Sequence, residues 1–147
     1  MLELKLWKNN KQDDKDFGKF YARVAQKETM DVDALAKHMS EHNTPFSPGA
    51  IKGILTDAVK CIRELTLEGK AVKIDDLAIF TVHCTGNDNL QLKDIVATIG
   101  DKAPAAIRTL RLAATATGEY RRDELNKYGR LRWTDAAQAQ IDEAKNA

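Results

Sequence analysis

The stretch SPGAIKGILTDAVKCIRELTLEGKAVKIDDLAIFTV, residues 47–82, decides the fold. Ser47 is a good helix N-cap, and Pro48 suits the first helical position, where its missing N–H costs nothing. Ile51, Ile54, Leu55, Ala58, Ile62 and Leu65 recur at helical spacing, and Gly69 supplies the stop. Two short apolar runs follow, at 71–74 and 77–82, separated by the turn-forming pair Asp75-Asp76. One capped helix leading into two strands is the expectation.

Working outward, Asp31 caps a shorter helix whose Val32, Leu35, Ala36 and Met39 fall at i, i+3, i+4 and i+7. Asn43-Thr44-Pro45-Phe46 breaks it, so the two helices form a hairpin. Val59 and Leu67 widen the apolar arc of the second helix beyond the ~100° of a surface helix. Either deep burial within one subunit or a second copy of the chain would cover it. Upstream, residues 2–7 alternate as a half-buried strand, 9–16 form a polar loop, and 17–24 read as a second strand, giving an N-terminal hairpin. Downstream, residues 83–89 read as a loop. Residues 91–99 fit strand or short helix, the spacing of Leu92, Ile95, Val96 and Ile99 favouring helix. Residues 107–117 alternate as a strand, Arg130 to Trp133 alternate similarly, and Thr134 or Asp135 opens a last helix carrying Ala137, Ile141 and Ala144.

The central block resembles the HU/IHF family of bacterial histone-like DNA-bending proteins. Their signature is a long helix ending in leucine and a Gly-Lys/Glu pair, running on into Val-x-Leu-x-Gly-Phe-Gly-x-Phe-x-Val. Here Gly69-Lys70-Ala71-Val72-Lys73-Ile74-Asp75-Asp76-Leu77-Ala78-Ile79-Phe80-Thr81-Val82 aligns to it without a gap. Val72, Ile74, Leu77, Phe80 and Val82 keep the apolar pattern, while Asp76 and Ala78 replace both signature glycines. The likeness runs over residues 30–82 and is clearest to a divergent, longer branch with extra terminal segments. It implies an α+β fold: an HU/IHF-like helical hairpin, then an antiparallel sheet with β-arms, plus an N-terminal β-hairpin and a C-terminal helix. The implied domains are an extension over 1–29, an HU-like DNA-binding domain over 30–120, and a C-terminal extension over 121–147.

The resemblance further implies a homodimer that binds double-stranded DNA with little sequence preference and bends or compacts it, as a cytoplasmic, nucleoid-associated architectural protein. In the HU family two β-arms reach into the minor groove, and a proline near each tip wedges between base steps; HU and IHF are the standing examples of this mode. Carried onto this chain, the outgoing arm leaves near Val82 and His83 and 107–117 returns. The residues placed on DNA are Lys73, Lys93, Lys102, Pro104, Arg108, Arg111, Arg121 and Arg122. The family's basic arm run ending Gly-Arg-Asn-Pro has no counterpart in 83–106, where Lys93 and Lys102 are offset by Asp88, Asp94 and Asp101. Pro104, flanked by alanines, reads more readily as a turn-former than as a wedge. Arg121 and Arg122 would either clamp phosphate or pair with Asp123 and Glu124.

Composition sets the limits. The 147 residues carry a formal net charge of +1, so no global field draws in a polyanion. Six of the eight arginines nevertheless fall between 108 and 132, the locally basic zone. No apolar run approaches the ~20 residues of a membrane span, and the first twenty residues lack a signal-peptide core, so cytoplasmic residence without a membrane partner is expected. No small-molecule substrate is expected either. Cys61 and Cys84 form no metal or redox motif, and Cys61, mid-helix, reads as a small core side chain. His38 and His42 lie four apart, a metal-capable spacing without a third ligand nearby, and read as a solvent-facing pair. With no phosphate loop, nucleophile elbow or Cys-x-x-Cys, the expectation is no enzyme, cofactor or metal. The alternative function, favoured by the neutral charge and the missing arm motif, is a structural or protein-interaction module that keeps the HU scaffold without DNA binding.

Overall fold

The computed structural model describes residues 1–86, 96–100 and 105–146. The chain is mixed α+β, with four helices and two sheets among the described residues, and forms two compact units. Met30–Glu124 make one; Met1–Thr29 and Leu125–Ala147 together make the other.

The Met30–Glu124 unit opens with α1 (Val32–Ser40) and α2 (Pro48–Leu67). Each is capped as its sequence dictates: the Ala34 N–H donates to the Asp31 carboxylate at 2.8 Å, and the Ala50 N–H to the Ser47 hydroxyl at 3.2 Å. Asn43, a residue that tolerates left-handed backbone, turns the chain between them at φ +57°. Gly69, at φ +84°, closes α2: its N–H reaches the Thr66 carbonyl and that of Lys70 the Leu65 carbonyl, satisfying two terminal acceptors.

The strands β3 (Val72–Ile74), β4 (Ala78–Gly86), β5 (Val96–Ile99) and β6 (Ala105–Ala116) form a sheet in the order β3-β4-β6-β5. β3, β4 and β6 run antiparallel, and β5 lies parallel to β6. Two expectations fail here. Residues 83–86, expected as loop, continue β4, because each finds a backbone partner on β6. Residues 96–99, open to strand or short helix with helix slightly favoured, are strand; 91–95 lie outside the described residues. The apolar spacing 92/95/96/99 suits a helix, but Val96 and Ile99 are branched residues that a sheet edge accepts as well.

The β3–β4 turn keeps the geometry of the glycine it lacks. Asp76 stands at the first lost signature glycine and adopts φ +60°. Gly118, at φ +51° in a single 3-10 turn (Gly118–Tyr120), packs directly on it: a Cβ there would lie 2.6 Å from the Asp76 Cα. The Thr117 N–H donates to the Leu77 carbonyl at 3.0 Å and locks the two segments together. Asp76→Gly is expected to stabilise the chain by about 0.5–1 kcal/mol by removing left-handed strain from a non-glycine residue, read as a higher urea midpoint.

In the other unit, β1 (Leu2–Lys8) is central, paired antiparallel with β2 (Phe20–Val24) and parallel with β7 (Leu131–Trp133). The expected N-terminal hairpin is present, with its second strand starting at Phe20. The buried Asn9 knits its loop: the side-chain amide donates to Asp14 at 3.1 Å, the side-chain oxygen accepts from the Lys11 N–H at 3.1 Å, and the backbone pairs with Gly18 and Lys19. α4 (Asp135–Asn146), capped by the Thr134 hydroxyl, packs on β1 and β7 and buries Ala137. Leu4, Leu6 and Trp133 share one side of this sheet; Glu3, Lys5, Trp7, Tyr21, Arg23 and Arg132 share the other.

Glu3 and Arg132 are cross-strand partners joined by an ion pair, which holds the Glu3 carboxyl below its ordinary range. A carboxyl depressed in the folded state adds stability that is complete above its unfolded value and is lost as pH falls through the folded one. Thermal melts of wild type and Glu3→Gln are therefore expected to differ at neutral pH and to converge in acid. A gap that persists or widens in acid would refute the linkage.

Candidate nucleic-acid interface

Antiparallel partners share a face, so the register of β3, β4 and β6 assigns every side chain. One face carries Val72, Ile74, Ala78, Phe80, Val82, Cys84, Leu110, Leu112, Ala114 and Ala116. The opposite face carries Lys73, Ile79, Thr81, His83, Thr85, Thr109, Arg111, Ala113 and Thr115. The first is apolar. Ala78, the most enclosed residue of β4, belongs to it, and α2 packs on β3 and β4. The second is a polar face of threonines and cations.

At its centre Arg111 stands directly opposite His83, with the Thr85–Thr109 pair beside them. The Thr81 hydroxyl lies 3.1 Å from His83 Nε2, fixing the ring along the strand. Arg111 is exposed, with no carboxylate partner among the described residues. Lys73 lies on the same face but is engaged by Asp75 at 2.7 Å, a contact that raises the Lys73 pKa and lowers that of Asp75. Such an exposed pair is worth little and is readily exchanged for another anion. Guanidinium, ammonium and hydroxyl groups on a strand are the donors that meet phosphate oxygens and minor-groove acceptors.

The other expected site residues are scattered. Arg108 is the extra residue where the β4–β6 register slips between Thr85 and Gly86, outside the cross-strand pairing that places Arg111 opposite His83. Arg121 sits between the 3-10 turn and α3 (Arg122–Tyr128), 3.4 Å from Asp123, so the carboxylate pairing holds for it; Arg122 begins α3 and is exposed. Lys93, Lys102 and Pro104 lie outside the described residues. Reading 83–86 as loop hides His83 and Thr85, and with them the face they complete with Thr81, Thr109 and Thr115. Continuing the alternation of 79, 81 and 83 through 85, and matching it to 109, 111, 113 and 115, is the signal that finds them.

Cys61 is exposed in the single chain, against the expectation of a core side chain, and both cysteines are free. His38 and His42 are exposed, their Nε2 atoms 3.1 Å apart. No group of three or more His, Cys, Asp or Glu able to hold a metal stands together among the described residues. Nor is any described helix long and apolar enough to cross a membrane.

A helical hairpin running into a mainly antiparallel sheet with one apolar and one polar face defines an HU-like α+β domain. The family model described as HU-HIG, an HU domain fused to a wHTH, Ig or glycine-rich motif, matches residues 2–99, and the chain belongs to that family. The match takes in β1 and β2 as well as the helical hairpin, β3, β4 and β5. No curated protein and no solved structure matches the chain.

Proposed function

We propose that the protein is a homodimeric, HU-related architectural protein that binds double-stranded DNA with little sequence preference, bending or compacting it. The observation that carries this reading is the polar face of β3, β4 and β6, where Arg111 and His83 stand opposed among threonines. Phosphate neutralisation and minor-groove contact suit such a face, and HU and IHF are the standing examples of the mode. The proposal includes residence with the nucleoid in the cytoplasm and no catalytic role.

Dimerisation is supported by what one copy leaves uncovered. Ile54, Val59 and Leu112 are 60%, 64% and 62% exposed, and no large side chain among the described residues is fully buried. Met39, Phe46, Ile51, Ile54 and Leu55 line an open apolar groove between α1 and α2. Burying such surface at roughly 25 cal/mol per Å² would favour association with a second copy. Light scattering should report twice the 16.4 kDa chain mass; a stable 16.4 kDa species at micromolar concentration would overturn this part.

The test of DNA binding is titration of random duplex at rising salt. Affinity should fall steeply, since each neutralised phosphate adds about −0.9 to the slope of log K against log salt. A second reading, a scaffold that has lost DNA binding, is favoured by the charge of the Met30–Glu124 unit: twelve Lys and Arg against fourteen Asp and Glu. Lys52, Lys60, Lys70, Lys73 and Arg121 are also engaged with carboxylates. No mobility shift at micromolar protein and low salt would select it.

A further inference from the structure

The cationic surplus of this chain lies in the unit formed by its two ends. Met1–Thr29 and Leu125–Ala147 hold eleven Lys and Arg against eight Asp and Glu, a net +3, while the Met30–Glu124 unit is net −2. α4 packs on the β2–β1–β7 sheet, whose apolar side supplies Leu4, Leu6 and Trp133 to match the buried Ala137. The other side carries an aromatic and cationic ladder. Arg23 stacks on Trp7 with its guanidinium carbon 3.9 Å from the ring centroid, and Tyr21 lies 5.9 Å from Trp7 on the cross-strand partner. Lys5, opposite Arg23, extends the ladder.

We propose that this face binds single-stranded nucleic acid, stacking unpaired bases on Tyr21 and on the Trp7–Arg23 pair while Lys5, Lys11 and Arg23 meet the phosphates. The geometry favours it in three ways. Tyr21 is 39% exposed, so part of the phenol is open to a base. A cleft of about 230 Å³ lined by Trp7, Asn9, Lys11, Asp14, Tyr21 and Arg23 opens beside it, with cations at its rim. The nearby acids each have a partner: Asp14, in the cleft wall, accepts from the Asn9 amide and the Asp16 N–H, Asp16 pairs with Lys19 and accepts from the Tyr21 hydroxyl at the ring's edge, and Glu3 pairs with Arg132. Aromatic rings and guanidinium planes beside backbone-tracking cations are the chemistry that holds unpaired bases without regard to sequence.

The test uses the full chain and oligo-dT. In a Trp133→Phe background Trp7 is the sole tryptophan, and its fluorescence should be quenched on titration with the oligonucleotide. Tyr21→Ala should weaken oligo-dT binding about tenfold, Tyr21→Phe less than twofold, and neither should change duplex affinity. Arg111→Glu, on the other unit, should lower duplex affinity and leave oligo-dT affinity within twofold, which separates failure of this site from failure of the duplex reading. Oligo-dT that leaves Trp7 unquenched, or binds Tyr21→Ala as tightly as wild type, would overturn the proposal. So would a single-strand affinity abolished by Arg111→Glu and indifferent to Tyr21→Ala.

Discussion

Arg111→Glu is expected to lower duplex affinity about ten- to a hundredfold at low salt and to flatten the salt slope by about two units, because each copy in the proposed dimer would give up one phosphate. Position is the reason. Arg111 is exposed at the middle of β6, opposite His83, on the face whose remaining polar side chains are mostly hydroxyls. Reversing its charge replaces the donor best suited to phosphate with a repulsive group while leaving the backbone ladder intact. Arg108→Glu is the matched control: the same charge change three residues away, but at the register slip, outside the cross-strand pairing that builds the polar face. It is expected to cost less than threefold. Equal effects of the two variants, measured by fluorescence anisotropy on one duplex, would mean that bulk charge rather than this face governs binding.

Gly118→Ala is expected to destabilise the chain by about 3 kcal/mol, seen as a lower urea midpoint without loss of cooperativity. Two costs combine. The backbone holds φ +51°, which an L side chain resists, and the new methyl would meet the Asp76 Cα at 2.6 Å. Because the obstacle includes backbone, shortening the neighbour does not remove it, and the Asp76→Gly/Gly118→Ala double variant should remain destabilised. A loss below about 1 kcal/mol would show that the β3–β4 turn and the 3-10 segment have room to separate.

Where the structural cause is local, the sequence reading succeeds. Asp31, Ser47, Pro48 and Gly69 act within a turn of their own helix, so both helices and their limits are legible. The alternation from Ile107 to Thr117 marks β6 because a strand's two faces are written in consecutive residues. Distant partners decide the rest. His83 to Gly86 look like loop until β6 supplies their hydrogen bonds, and the parallel pairing of β1 with β7 joins segments with no shared local signal. The polar face follows the same division. Arg111 stands out by its charge, whereas His83 and the threonines are visible only once the β4–β6 register is known. The slip that parts Arg108 from Arg111 is likewise a property of two strands read together, and Cys61 is exposed because helical spacing alone does not say which residues a neighbouring element covers.

The parallel pairing of Leu2 to Leu4 with Leu131 to Trp133 has a consequence for synthesis. During translation β1 can pair with β2 long before β7 exists, while Met30–Glu124 can already close its own contacts. β1 is thus made early and completed late, and a nascent chain that has not reached β7 carries a bare strand edge of the kind that invites mispairing.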